Sequence, residues 1–226
     1  MANKDHLAQL KKGVSHWNFW RSQQTRLLID LIEANLAYAE VSKADFSGVD
    51  LSLANLGGAN LIGANLREAN LTLANLSGAN LSLATFQGVT LTMTNLSGTN
   101  LSLSNLSAVN LSLANLSGAN LSGALLRNAN LMGVNLGGAD LTNADLSDAN
   151  LCGANLNGAN LSNACLYEAE LSGAVFGGAN LTKANLSGAI LRKTDFNGAS
   201  LKGADLRNTD LHSAKLDGTH LDVKFP

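Results

Sequence analysis

The stretch Leu91-Thr-Met-Thr-Asn-Leu-Ser-Gly-Thr-Asn-Leu-Ser-Leu-Ser-Asn-Leu-Ser-Ala-Val-Asn-Leu111 carries no charge, histidine, proline or aromatic ring. A leucine nevertheless returns at every fifth position, at Leu91, Leu96, Leu101, Leu106 and Leu111. The spacing continues outward in both directions. From Ala34 to Val223 every fifth residue is large and apolar, from Leu36, Val41 and Phe46 to Leu211, Leu216 and Leu221, without one insertion. Of these 38 centres 33 are Leu, four Phe and one Val, and two residues before each stands a small residue, Ala in 28 units. The consensus is Ala-Asn-Leu-Ser-Gly.

Residues two apart share a side in an extended chain, so the alanine and leucine of each unit point inward and the Asn or Asp between them points out. Ser-Gly falls where the chain must turn, and glycine suits the positive φ of a type II turn. A helix is excluded, because five residues advance about 500° at 3.6 residues per turn and would smear the leucines over all sides. Each unit therefore reads as one short strand and one corner. A second periodicity sets the coil. At the corner position, usually Gly, the exceptions Leu53, Leu73, Met93 and Leu113 are 20 residues apart, as are Leu83 and Leu103; Phe176 and Phe196 repeat at the same interval. Side chains stacked on successive coils are selected together, so four units make one square coil.

Composition agrees with a packed chain. Of the 226 residues 14% are charged and 4% aromatic, while the aliphatic content is too high for disorder. No apolar run approaches the roughly 18 residues of a membrane span, and the N-terminus lacks the apolar run of a signal peptide, so a cytoplasmic protein with no membrane partner is expected. A net charge of −2 predicts steering toward neither nucleic acid nor a membrane surface. Cys152 and Cys165, 13 residues apart, have neither disulfide-framework nor zinc-site spacing.

The pattern of a small residue, Asn or Asp, Leu or Phe, a polar residue and Gly resembles the pentapeptide-repeat family over residues 34–223. The resemblance implies an all-β fold, a right-handed quadrilateral parallel β-helix, consistent with the handedness of parallel crossovers. Coils about 4.8 Å apart would give a rod of about 45 Å. The expected organisation is a helical cap and linker over 1–28, a β-helix of about nine and a half coils over 29–223 whose first unit, 29–33, is degenerate, and a tail at 224–226.

Leu7, Leu10, Val14, Trp17 and Trp20, with Leu27 beyond, follow helical spacing, and Asn3 is an N-cap candidate. A helix here would cover the exposed strand edges of the first coil. The Trp-Asn-Phe-Trp-Arg run at 17–21 resembles the N-terminal region of cyanobacterial members of the family. At the other end, Phe225 is either a homodimer contact, as in some family members, or a plug over the last leucines; monomer and dimer both stay open.

A filled rod offers no concavity for catalysis, so no enzyme, cofactor or metal site is expected. His6 and His16 lie in the cap, while His212 and His220 fall on opposite faces. Asp145, Asp148 and Glu168 gather on one face together with Arg127, which reads as a solvated acidic patch. Binding remains as the functional class, with a protein partner of unknown identity. Its candidate contacts are the corner residues Leu53, Leu73, Met93, Leu113, Leu83 and Leu103, with Met93 and Leu103 pointing out of one uncharged surface. The opposing expectation is that these corners adopt a different turn and pack on one another. Family members that protect DNA gyrase by imitating DNA supply a second reading, which charge disfavours: residues 34–223 hold 14 acidic and 9 basic side chains, and residues 69–126 none. DNA of about 45 Å carries about 26 charges. A Ser/Thr/Asn array binding ice is a third, weakened because Thr90-Leu-Thr92 is not repeated on adjacent coils.

Overall fold

The computed structural model describes residues 1–24 and 28–222. The chain forms a four-sided solenoid. Parallel pairing joins residues 20 apart, Asn35 to Asn55, Asn55 to Asn75 and so on through Ser200 to His220, so one coil is four units. We number the faces by their inward centres: first Leu56 and Leu76, second Leu61 and Leu81, third Leu66 and Phe86, fourth Leu51 and Leu71.

The expected short strands shrink to single paired residues. Five residues less a two-residue corner leave three, too few for an extended ladder. The Leu36 N–H donates to the Asn55 carbonyl (2.7 Å), the Asn55 N–H to the Ala34 carbonyl (2.9 Å) and the Tyr38 N–H to the Gly57 carbonyl (2.8 Å). Within the unit the Ala39 N–H closes the corner on the Leu36 carbonyl (3.0 Å). Leucines and alanines fill the centre, most of them fully buried, each leucine contributing roughly 1.5–3 kcal/mol of transfer free energy.

At the N-terminus two helices stand where one was expected. These are α1 (Lys4–Lys11), whose N-cap Asn3 accepts from the Asp5 and His6 N–H groups, and α2 (Val14–Ser22). Gly13, at φ 101°, breaks them apart, a conformation that a helix cannot contain. Leu10 and Trp17 are buried, and Leu7, Val14 and Trp20 pack partly against the same core. The cap also satisfies edge groups of the first coil. Trp17 Nε1 donates to the Asp45 carbonyl (2.8 Å), and Asn18 accepts from the Asp45 N–H (2.8 Å) while donating to the Lys43 carbonyl (2.9 Å). Arg21 reaches the Ser47 carbonyl. On the fourth face buried His6 accepts the Asp30 N–H at Nδ1 (3.1 Å), a role its sequence position did not reveal. Asp30 itself pairs with Asp50, and Ile29 and Leu31 are buried, so residues 29–33 stack as a unit. Leu27 and Phe225 lie outside the described residues.

One coil departs from the rest. Between Val89 and Val109 no small inward position is alanine; Thr94, Thr99 and Ser104 stand there, buried, their hydroxyls donating to the Leu71, Leu96 and Leu101 carbonyls (2.8, 2.7 and 2.6 Å). Just before this enlarged coil Phe86 replaces leucine on the third face. There, among the described residues, the ladder is interrupted. Thr85 pairs with Asn65, and Asn105 with Leu125, but Thr85 and Asn105 are not paired. The bonds from the Phe86 and Gly88 N–H groups, whose counterparts join Leu66 to Thr85 (3.1 Å) and Glu68 to Gln87 (2.9 Å), are missing. Phe176 and Phe196 show the contrast: their rings stack on each other at 5.0 Å, and Val175 stays paired with Asp195. An unstacked ring beneath a coil with added inward volume forces the coils apart.

Candidate interaction surface

Every corner residue from Glu33 to Asn208 takes a left-handed φ, whether glycine or not. Leu53, Leu73, Met93 and Leu113 lie at φ 56–61°, matching Gly118 at 64°. With the closing hydrogen bond between first and fourth residues, these are type II turns throughout. The expectation of a different turn at the leucine corners is therefore wrong. The side chains instead occupy a conformation that L-residues adopt at a cost of roughly 1–2 kcal/mol each.

The two leucine columns are separate. Leu53, Leu73, Met93 and Leu113 line the corner between the fourth and first faces, and Leu83 and Leu103 the diagonally opposite corner between the second and third. Met93 and Leu103 thus cannot serve one flat contact. Side chains of each column lean toward the next coil: Leu113 Cδ2 stands 2.8 Å from where a Cβ on Gly133 would be. The first column is half exposed, at 49–52%, whereas Leu83 and Leu103 are 77% and 81% exposed, beside the interrupted ladder. Met132, at the preceding corner position and also exposed, extends the first column by one coil. A large residue where Ser or Thr is usual was the signal for it.

On the first face an asparagine ladder runs along the outside. Asn75, Asn95, Asn115, Asn135 and Asn155 each donate a side-chain amide to the Oδ1 of the asparagine one coil before, at 3.0–3.3 Å. Beyond it lies a corner of glycines, Gly58 to Gly218, over whose first member the exposed Tyr38 ring lies. The corresponding rows, 52–58, 72–78 and onward to 172–178, contain no charged residue. Coiling therefore assembles an uncharged surface of seven coils, about 30 Å long.

The acidic patch on the third face is partly neutralised. Arg127 Nε lies 2.5 Å from Asp145, which also accepts from the Ser147 hydroxyl (2.6 Å) and N–H (3.1 Å). Burial alone would push the Asp145 carboxyl up, but the Ser147 hydrogen bonds and then Arg127 outweigh it and hold the carboxyl below its ordinary value. The Ser147 hydroxyl also lies 3.2 Å from Cys165 Sγ. Burial first, then Glu170, pushes the Cys152 thiol up. Both cysteines are free, and among the described residues no group of His, Cys, Asp and Glu is placed to hold a metal ion. No helix among them is long and apolar enough to cross a membrane.

Fold and surface define a solenoid of stacked square coils with an uncharged flank. The family described as Pentapeptide repeats matches in eight copies between residues 29 and 222, and the chain belongs to it. Its fold is the right-handed parallel β-helix. Among solved structures the chain is similar to HetL, a pentapeptide-repeat protein involved in heterocyst differentiation regulation from the cyanobacterium Nostoc sp. strain PCC 7120. The two are 40% identical over 82% of this chain and 88% of HetL, with a TM-score of 0.38. It is also similar to the pentapeptide-repeat protein alr5209 from Nostoc PCC 7120 (35% identity, 57% and 84% covered, TM-score 0.26). A trypsin-treated form of QnrB1, a plasmid-mediated fluoroquinolone resistance protein, matches at 22% identity over 79% and 89%, with a TM-score of 0.46. No curated protein matches.

Proposed function

We propose that this protein is a non-enzymatic binding rod of the cytoplasm. It engages a protein partner through the first face and its two flanking corners. The observation that carries the reading is the seven-coil uncharged surface, bordered by Leu53, Leu73, Met93, Leu113 and Met132. Depletion of charge together with exposed apolar anchors is the composition of an interface centre. The corner leucines add a second reason, since glycine would fill those turns without strain and strain concentrates at functional positions. The 40% identity to HetL, a protein involved in regulation of differentiation, supports a regulatory rather than a chemical role.

The test compares wild type with Leu73→Ser/Met93→Ser and with Asn143→Ser/Asn163→Ser, the last pair on the diagonally opposite corner. Each protein is used to capture partners, and binding of the captured protein is then measured with purified components. The reading expects a partner whose affinity falls at least about tenfold for the leucine-corner variant and is unchanged for the other. Equal loss in both, or loss explained by a lower melting temperature, would overturn it.

A further inference from the structure

The interrupted ladder on the third face forms a cleft of about 610 Å³, within the roughly 300–1,000 Å³ of ligand sites. Its walls are two backbone edges. One runs from Ala84 to Gly88, the other from Asn105 to Ala108. Along most of the rod such edges bond each other, Ile190 and Asp210 on the fourth face near the C-terminal end being a second exception; here, among the described residues, the Phe86 and Gly88 N–H groups donate to no carbonyl of the next coil. Two unpaired donors two residues apart on one edge, across from the carbonyls of the other, are the pattern that an adjoining β-strand completes. The cleft is flanked by side chains of two kinds. Leu83 and Leu103, the most exposed corner leucines, occupy the corner just before its edges without lining it, and Arg67, which has no ion pair among the described residues, lines it. The amide of Gln87 adds a polar contact between them.

We propose that this cleft is a docking slot for an extended peptide segment carrying an acidic side chain. Peptide carbonyls accept from the Phe86 and Gly88 N–H groups, peptide N–H groups donate to the Asn105 and Ser107 carbonyls on the facing edge, the peptide carboxylate meets Arg67 and an apolar side chain rests on the nearby Leu83 and Leu103. The site lies on a different face from the uncharged surface and stands independently of it. The register is local, because Asn80 stays paired with Asn100 and Thr90 with Asn110 on the flanking faces, and the ladder resumes between Asn105 and Leu125, which confines the peptide to one short segment. Main-chain pairing supplies affinity in such recognition, and the flanking side chains supply the choice of sequence.

The test uses backbone amide NMR of the full chain with three pools of acetylated, amidated pentapeptides. One pool has Asp or Glu fixed at one position, one has Lys fixed there, and the third is the acidic pool with N-methylated backbone. In the free protein the Phe86 and Gly88 amides should exchange with solvent at least about tenfold faster than those of Leu66 and Glu68. The acidic pool should shift the Phe86, Gly88 and Asn105 resonances saturably and slow that exchange, and Arg67→Gln should weaken the effect about fivefold or more. The Lys and N-methylated pools should leave those resonances unmoved. Equal protection of Phe86 and Leu66 in the free protein, no shift with the acidic pool, or equal shifts with the N-methylated pool would each overturn the proposal.

Discussion

Asn135 donates its side-chain amide to the Oδ1 of Asn115 at 3.0 Å across one coil. The same oxygen accepts the Ser117 N–H at 3.2 Å, and the Asn115 amide passes on to Asn95 at 3.3 Å. Each asparagine thus fastens its own turn and two neighbouring coils at once. Asn115→Ala removes all three bonds and should cost about 1–3 kcal/mol, at about 0.5–1.5 kcal/mol per hydrogen bond with exposure softening the loss. Asn115→Asp keeps the turn bond, so its cost should be smaller. Denaturant midpoints of the two variants check the order.

Corner strain can be isolated from packing. A Cβ added at Gly118, φ 64°, would meet nothing within 4 Å, so Gly118→Ala introduces only the left-handed penalty. It should destabilise by about 1 kcal/mol. Ala108, at φ 58° with no large side chain to lose, is the converse, and Ala108→Gly should gain a similar amount. If both substitutions leave the unfolding midpoint unchanged, the turns are not strained.

The cap protects an edge as well as burying Trp17. Trp17→Ala should cost about 3–5 kcal/mol, as large aromatic truncations do. Asn18→Ala removes little apolar surface but bares the Lys43 carbonyl and the Asp45 N–H. Light scattering should then show end-to-end association at concentrations where the wild type does not associate, because an unpaired parallel edge is a template for another chain.

The pH dependence follows from Asp145. Its folded carboxyl is held below the ordinary value of 3.8, so its contribution to stability is complete above that value and is lost as pH falls through the lower folded one. Melting temperature measured from pH 7 down to pH 2 should fall more steeply for wild type than for Asp145→Asn below about pH 4. The difference is small, since Arg127 is exposed and solvent screens the pair. Parallel curves would show that Arg127 and Ser147 do not hold the carboxylate.

Much of this architecture could be read along the chain. The 20-residue return of Leu53, Leu73, Met93 and Leu113 gave the coil, the Ala-x-Leu alternation gave the inward face, and Asn3 with the leucines and tryptophans after it gave the cap. Gly13 stands in plain view, but the helical spacing of Leu10, Val14 and Trp17 runs straight through it and masks the break. His6 gave no signal, because its partner, Asp30, is reached only when α1 folds back over the first coil.

The five-residue repeat by itself determined that this chain coils, with what inside and with left-handed turns at the corners, because those features depend on side-chain alternation and local turn geometry. Which side chains share a surface was decided only by stacking. The charge-free segment in sequence covers residues 69–126, whereas the folded uncharged surface gathers short rows from Ser52–Gly58 to Ser172–Gly178, and the same stacking sends Met93 and Leu103 to opposite corners. The cleft at Phe86 likewise belongs to the tertiary structure. It arises from the summed volume of Phe86 and the enlarged inward residues of the following coil, groups that meet only where two coils press together.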